Sequence, residues 1–155
     1  MRSIERVRLA ADRLGLGVHI LELEQSTRTA KEAADACGCP VSAIVKSMVF
    51  ERADDGSLVL VLVSGAHNAD LKKLKALFGC KLRPARPEKV REQTGFAIGG
   101  VAPVGHVNPI PVYMDEILLN HERVWAAAGQ PNALFEVAPE TLRDKTGARI
   151  IQVAD

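Results

Sequence analysis

Lys46 interrupts an apolar, strand-like run, Ile44-Val45-Lys46-Ser47-Met48-Val49-Phe50. Stripping water from an ammonium costs several kcal/mol unless it gains a partner or a task. Further along lies Gly99-Gly100-Val101-Ala102-Pro103-Val104-Gly105, a loop whose glycines let bare backbone approach a ligand while Pro103 stiffens the turn. A cation on a strand and naked main chain on a loop together suit an anionic or ester-bearing ligand. The loop matches neither the G-x-x-x-x-G-K-[ST] phosphate loop nor G-x-G-x-x-G. His106 follows it directly and is a candidate general base.

Other reactive side chains carry weaker signals. His19, His67, His106 and His121 have no metal-ligand spacing. His67-Asn68-Ala69-Asp70 reads as a helix cap more than a catalytic group. Ser64-Gly65 does not complete G-x-S-x-G. Asp115 and Glu116 would point to opposite faces of a strand, so they make a poor acid/base dyad, and an exposed turn is expected there. Cys37-Gly38-Cys39 is too closely spaced for a zinc knuckle, and with Cys80 the count is odd. Small packing or capping thiols in a reducing, cytoplasmic compartment are the expectation.

Charge is unevenly spread. The net charge is +1, yet Lys72, Lys73, Lys75, Lys81, Arg83, Arg86, Lys89 and Arg91 face only Glu88 within their stretch. Such asymmetry fits either a polyanionic partner or a solvated face balanced by acids from elsewhere. A chain of 155 residues, 47% hydrophobic and 25% charged, suits one globular domain with a real core. No apolar run is long enough to span a bilayer, and no membrane partner is expected.

The elements that must hold Lys46 and the loop follow from periodicity. Residues 2–15 read as a helix with Ile4, Val7, Ala11 and Leu14 inside. Residues 18–23 read as a short strand. Thr29-Ala30-Lys31-Glu32 is a capping box before a small-residue helix that Gly38 and Pro40 end. Residues 44–50 and 58–63 form a hairpin around Asp54-Asp55-Gly56. Its second strand is apolar on both faces and so belongs at a sheet centre. Lys46 shares a face with Ile44, Met48 and Phe50. Asn68 or Asp70 caps a helix with Leu71, Leu74 and Phe78 inside. A strand is expected near 81–83, a helix from Pro87 to about Thr94, strands at 111–114 and 133–137, a helix at 139–145 and a last strand at 149–153. Strands mixed with short helices imply a mixed α/β (α+β) single domain.

With these residues in place, the chain resembles the YbaK / prolyl-tRNA-synthetase editing-domain family. The carriers are Ser26-Thr27-Arg28-Thr29-Ala30, the run Ile44–Phe50, Asp70-Leu71-Lys72-Lys73-Leu74, the G-x-x-x-P of Gly99 to Pro103, and Ala128-Gly129-Gln130-Pro131-Asn132-Ala133-Leu134-Phe135. The resemblance spans nearly the whole chain and implies a mostly antiparallel sheet curled into a barrel-like core with helices around it. It implies a free-standing deacylase of mischarged tRNA, acting on tRNA(Pro) bearing alanine, 2-aminobutyrate, cysteine or serine, with no cofactor or metal and with prolyl-tRNA synthetase as a possible partner. DNA is not an expected partner. Lys46, Gly99, Gly100 and Pro103 are the implied catalytic positions. Thr29, Ile44, Met48, Ser64, Val101, Ala102 and His106 are the expected substrate contacts, and Lys72, Lys73, Lys75, Arg83 and Arg86 the expected RNA contacts. An aminoacyl ester is already activated, so positioning can replace a strong nucleophile. Two other readings stay open: a non-catalytic tRNA-binding module of the same fold, and a hydrolase of another small ester with His106 as base.

Overall fold

The computed structural model describes residues 2–154. Among these residues, eight strands make two sheets. The larger sheet has the order β4-β2-β3-β5-β8, with β2 at Val45–Arg52, β3 at Leu58–Ser64, β4 at Leu82–Pro84, β5 at Val112–Asp115 and β8 at Arg149–Ile151. The β2–β3 and β2–β4 pairs are antiparallel, while β3–β5 and β5–β8 are parallel. The smaller sheet, β1-β7-β6, is wholly antiparallel. It is built from Ile20–Glu22 (β1), Val124–Ala127 (β6) and Ala133–Val137 (β7). An isolated bridge between Ile44 and Trp125 links the two sheets. Neither sheet closes on itself, so the expected barrel-like curl becomes two open sheets packed around a shared core.

All seven residues of β3 are buried, as its two-sided apolar pattern demands. Leu58, Leu60 and Leu62 join the main core, which also takes Phe135 and Val137 of β7 and the Ile4-Val7-Ala11 stripe of α1 (Ser3–Leu14). Val59, Val61 and Val63 face the other way, toward Leu74 of α3 (Leu71–Phe78). A third cluster packs Ala33 and Ala34 of α2 (Ala30–Cys37) on Ile44 and Leu134. Two more helices, α4 (Pro87–Thr94) and α5 (Pro139–Thr146), begin with proline at the first turn and end on glycine.

Local chemistry explains the boundaries. Thr29 caps α2 by accepting the Glu32 N–H at 3.1 Å, and Asp70 rather than Asn68 caps α3. Gly56, at φ +75°, closes the hairpin, where the Asp55 carboxylate accepts the Ser57 N–H. Three expectations need correction. Leu71 stands at the first position of α3 and is exposed, not inside. The strand β6 was not expected, because Val-Trp-Ala-Ala is short and half alanine, which disfavours strands. Asp115 is not in an exposed turn: it is completely buried at the end of β5, where three hydrogen-bond donors surround it.

Candidate functional site

A cleft of about 220 Å³ opens where β2 meets the smaller sheet. The start of β2 brings Ile44, Val45, Lys46 and Ser47 to it, and the first turn of α2 brings Thr29, Ala30 and Ala33. Gly99 and Val101 of the glycine loop lie against Gln130 and Pro131. Thr27 and Arg28 complete the polar side.

The loop is seated by its glycines. A Cβ on Gly100 would stand 2.8 Å from the Gln130 Cα and 2.9 Å from the Gly129 carbonyl oxygen. Only glycine permits that approach. Gly99 is exposed at φ +93°, a backbone conformation that side-chain-bearing residues rarely adopt. Gly100 therefore fixes the loop while Gly99 offers its backbone to the opening.

Lys46 is half-buried and donates a hydrogen bond from Nζ to the carbonyl of His67. Loss of water lowers its pKa from the ordinary 10.5, while the negative charge of Asp115 pulls upward. Behind it lies a polar network. His67 Nδ1 is 2.8 Å from Asp115 Oδ2. That carboxylate also accepts the N–H of Ser64 at 3.0 Å and that of Ile117 at 3.2 Å. The Ser64 hydroxyl donates to the Ser42 carbonyl. Ser64 is completely buried and pairs with Val45 on the strand that carries Lys46.

The structure divides the residues expected from sequence. Lys46, Thr29, Ile44, Gly99 and Val101 share the cleft, and Gly100 packs directly behind it. Met48 lines an adjacent apolar slot. Pro103 and His106 face a different cavity, with Leu14, Lys145 and Thr146. His106 Nε2 is 2.7 Å from the carbonyl of Ala102, which is itself buried. Burial lowers the His106 pKa, and that hydrogen bond only partly offsets the effect.

Of the basic stretch, Arg83, Arg86 and Lys89 converge on the buried carboxylate of Glu51. Burial works to raise the Glu51 pKa, but the Arg86 hydrogen bond and the charges of Lys89 and Arg86 hold it below the usual carboxylate range. Lys72 and Lys75 are exposed on α3, and Lys73 stands beside its Asp70 cap. Arg28, Ser47, Gln130 and Pro131 were not among the expected contacts, although all four sit in segments that carried the resemblance. Only the fold shows that these segments meet.

Among the described residues, no group of three or more His, Cys, Asp or Glu could hold a metal ion, and no helix is long and apolar enough to cross a membrane.

Comparison with known proteins completes the description. The aminoacyl-tRNA editing domain matches residues 24–145. One similar solved structure, described as a candidate trans-editing enzyme for prolyl-tRNA synthetase, is 50% identical; it superposes with a TM-score of 0.93, covering 100% of this chain and 98% of the other. YwhH of Bacillus subtilis, described as uncharacterised, is 34% identical over 131 residues, or 84% of this chain and 83% of its own. EbsC of Enterococcus faecalis, named as a candidate Cys-tRNA(Pro)/Cys-tRNA(Cys) deacylase, is 27% identical over 81% of this chain and 76% of its own. The proline–tRNA ligase of Heliobacterium modesticaldum is 41% identical over 97 residues, but the match spans only 16% of that ligase.

Proposed function

The chain belongs to the aminoacyl-tRNA editing domain family, and from that premise we propose that it hydrolyses the ester joining a wrong amino acid to the 3′ end of a tRNA. The finer reading is a trans-acting deacylase of tRNA(Pro) carrying alanine, 2-aminobutyrate, cysteine or serine. The names borne by its relatives support that choice of tRNA and the cysteine alternative.

One observation carries the proposal. Lys46 and Gly99 line the same small cleft. Water adds to the ester carbonyl as it gives up a proton to bulk solvent, making a tetrahedral oxyanion. The C–O bond to the ribose then breaks, the ribose oxygen takes a proton, and the amino acid leaves as a carboxylate. The protein's task is to hold the ester and to favour negative charge where it develops. Lys46 supplies a cation in a partly dry site, where it acts more strongly than in water. Gly99 supplies backbone that no side chain shields. The apolar wall of Ala30, Ala33, Ile44 and Leu134 suits a small side chain. No side-chain base is required, so His106, facing another cavity, has no step in this mechanism.

The test is release of free amino acid from tRNA(Pro) charged in turn with alanine, 2-aminobutyrate, cysteine, serine and proline. At least one non-cognate ester is cleaved faster than prolyl-tRNA. Lys46→Ala lowers that rate about a hundredfold while changing stability by about 1 kcal/mol or less. Equal rates for mutant and wild type remove Lys46 from the mechanism. Tight binding of tRNA without turnover of any ester overturns the deacylase reading in favour of a tRNA-binding module.

A further inference from the structure

We propose that His67 is a positioning residue for Lys46: it bonds the ammonium with its carbonyl and the buried Asp115 carboxylate with its ring, and so keeps the two charges from closing into an ion pair. The charge of Lys46 is thereby left for the substrate. The proposal rests on the deacylase reading above and adds to it a residue that does not itself line the cleft.

One residue holds both charges, by different atoms. The His67 carbonyl accepts the hydrogen bond from Lys46 Nζ, while His67 Nδ1 stands 2.8 Å from Asp115 Oδ2. A carboxylate accepts, so Nδ1 carries the proton on that side. Oδ2 also takes the Ser64 N–H, and Oδ1 takes that of Ile117. Lys46 and Asp115 make no ion pair with each other, yet the carboxylate is near enough to pull the Lys46 pKa upward against the effect of burial. Arg28 is the other charged group lining the cleft with Lys46, and no carboxylate lines it. A lysine stem is flexible, and opposite charges attract more strongly in a partly dry site than in water. Direct contact is the expected outcome for such a pair unless something holds them apart.

The turn that carries His67 is pinned in place directly after β3. The Ser64 carbonyl accepts the His67 N–H at 2.9 Å, and the Gly65 N–H donates to the Ile44 carbonyl at 2.7 Å. The Ser64 hydroxyl accepts the Ala66 N–H at 3.2 Å. A Cβ on Gly65 would lie 2.4 Å from the Val41 carbonyl oxygen, so glycine alone allows this seat. His67 therefore presents its carbonyl and its ring in fixed directions. The Asp115 side chain is wholly buried, and His67 is its only side-chain partner among the described residues. Removing that partner leaves a buried charge short of a donor, which is costly, and the Lys46 ammonium is the nearby group able to replace it. With His67 in place, Asp115 favours the charged form of Lys46 from a distance without capturing it. A neutral carbonyl is a weaker partner than a carboxylate, so the ammonium is free to turn to an oxyanion as that charge develops.

The experiment compares the full wild-type chain with His67→Ala, His67→Gln and Asp115→Asn. Each is followed by the carbon NMR shift of Lys46 Cε against pH, and by the pH profile of deacylation of mischarged tRNA(Pro). In His67→Ala the ammonium closes on Asp115: the Lys46 titration moves to higher pH and kcat falls about tenfold. Glutamine keeps a donor for the carboxylate, so His67→Gln restores most of the lost rate and brings the titration back toward wild type. In Asp115→Asn the upward pull is gone, and the Lys46 titration moves to lower pH. A merely structural role does not give opposite shifts in two variants of one network. Loss of rate in His67→Ala with Lys46 titrating as in wild type, or lower, overturns the proposal, and so does a wild-type rate. If His67→Ala does not fold, Asp115→Asn decides: a Lys46 titration that it leaves unmoved overturns the coupling. The expected titration shifts without turnover of any ester sink the deacylase reading instead and leave the role of His67 standing.

Discussion

Lys46 is the residue whose protonation the proposed chemistry uses. Its pKa lies below 10.5 because burial outweighs the pull of Asp115. Enzyme-catalysed deacylation, corrected for the spontaneous reaction, is therefore expected to fall as pH rises, with a midpoint below that of a free lysine. Lys46→Arg should remove this alkaline limb, since guanidinium stays charged throughout; persistence of the limb would assign it to another group. The same shift has a stability sign. The unfolded chain holds the Lys46 proton more tightly, so the cost of its burial is relieved as pH rises through the folded pKa. His106 behaves differently. Buried and held by the Ala102 carbonyl, it favours the neutral form. The stability this burial allows is lost as pH falls below the ordinary histidine value of 6.5. His106→Ala is expected to cost about 2 kcal/mol in urea unfolding while leaving the pH profile of deacylation unchanged. A rate that loses a limb in this variant would restore histidine as a base. The face shared by Lys46 and the openness of Gly99 were legible in sequence. The His67–Asp115 contact was not, because 48 residues separate its members and no local pattern joins them.

At the level of elements, the cleft depends on how the glycine loop is seated. Gly100→Ala would drive a methyl into the Gln130 backbone. The expected result is a loss of about 1–3 kcal/mol in stability and a larger loss of deacylation than any exposed substitution gives. Wild-type values in both assays would show that the loop does not need its present seat. The sequence reading expected Gly99, Pro103 and His106 to serve one site with Lys46, and Gly99 lines the cleft with Lys46. Pro103 and His106 follow within a few residues but face another cavity, because Val101, Ala102 and Val104 are all buried and carry the chain through the core. Proximity along a loop does not survive such a passage. Hairpin and helices were readable because their caps and periodicity are local. The strand β6 was not, since its pairing comes from β7 and, at Trp125, from Ile44.

Over the whole molecule, the basic stretch splits into two parts. Glu51 neutralises some of the charge of Arg83, Arg86 and Lys89, whereas Lys72 and Lys75 remain exposed on α3. If α3 meets the phosphates of tRNA, Lys75→Glu should raise KM for every aminoacyl-tRNA alike. It should also reduce the slope of log affinity against log salt by about 1 or more. An unchanged slope would move the RNA contact elsewhere. Sequence alone left a polyanion surface and an internally balanced one equally open; the fold pairs Arg83, Arg86 and Lys89 with Glu51 and leaves Lys72 and Lys75 exposed. The acid that decides the matter, Glu51, lies outside the stretch whose charges were counted.

The walls of the cleft come from residues 27–33, 44–47, 99–101 and 127–134, four stations scattered along most of the chain. No excised fragment can carry the site, and a protease nick between any two stations severs it. Catalysis becomes a late witness of folding: during renaturation, turnover should return no sooner than the slowest of these stretches docks.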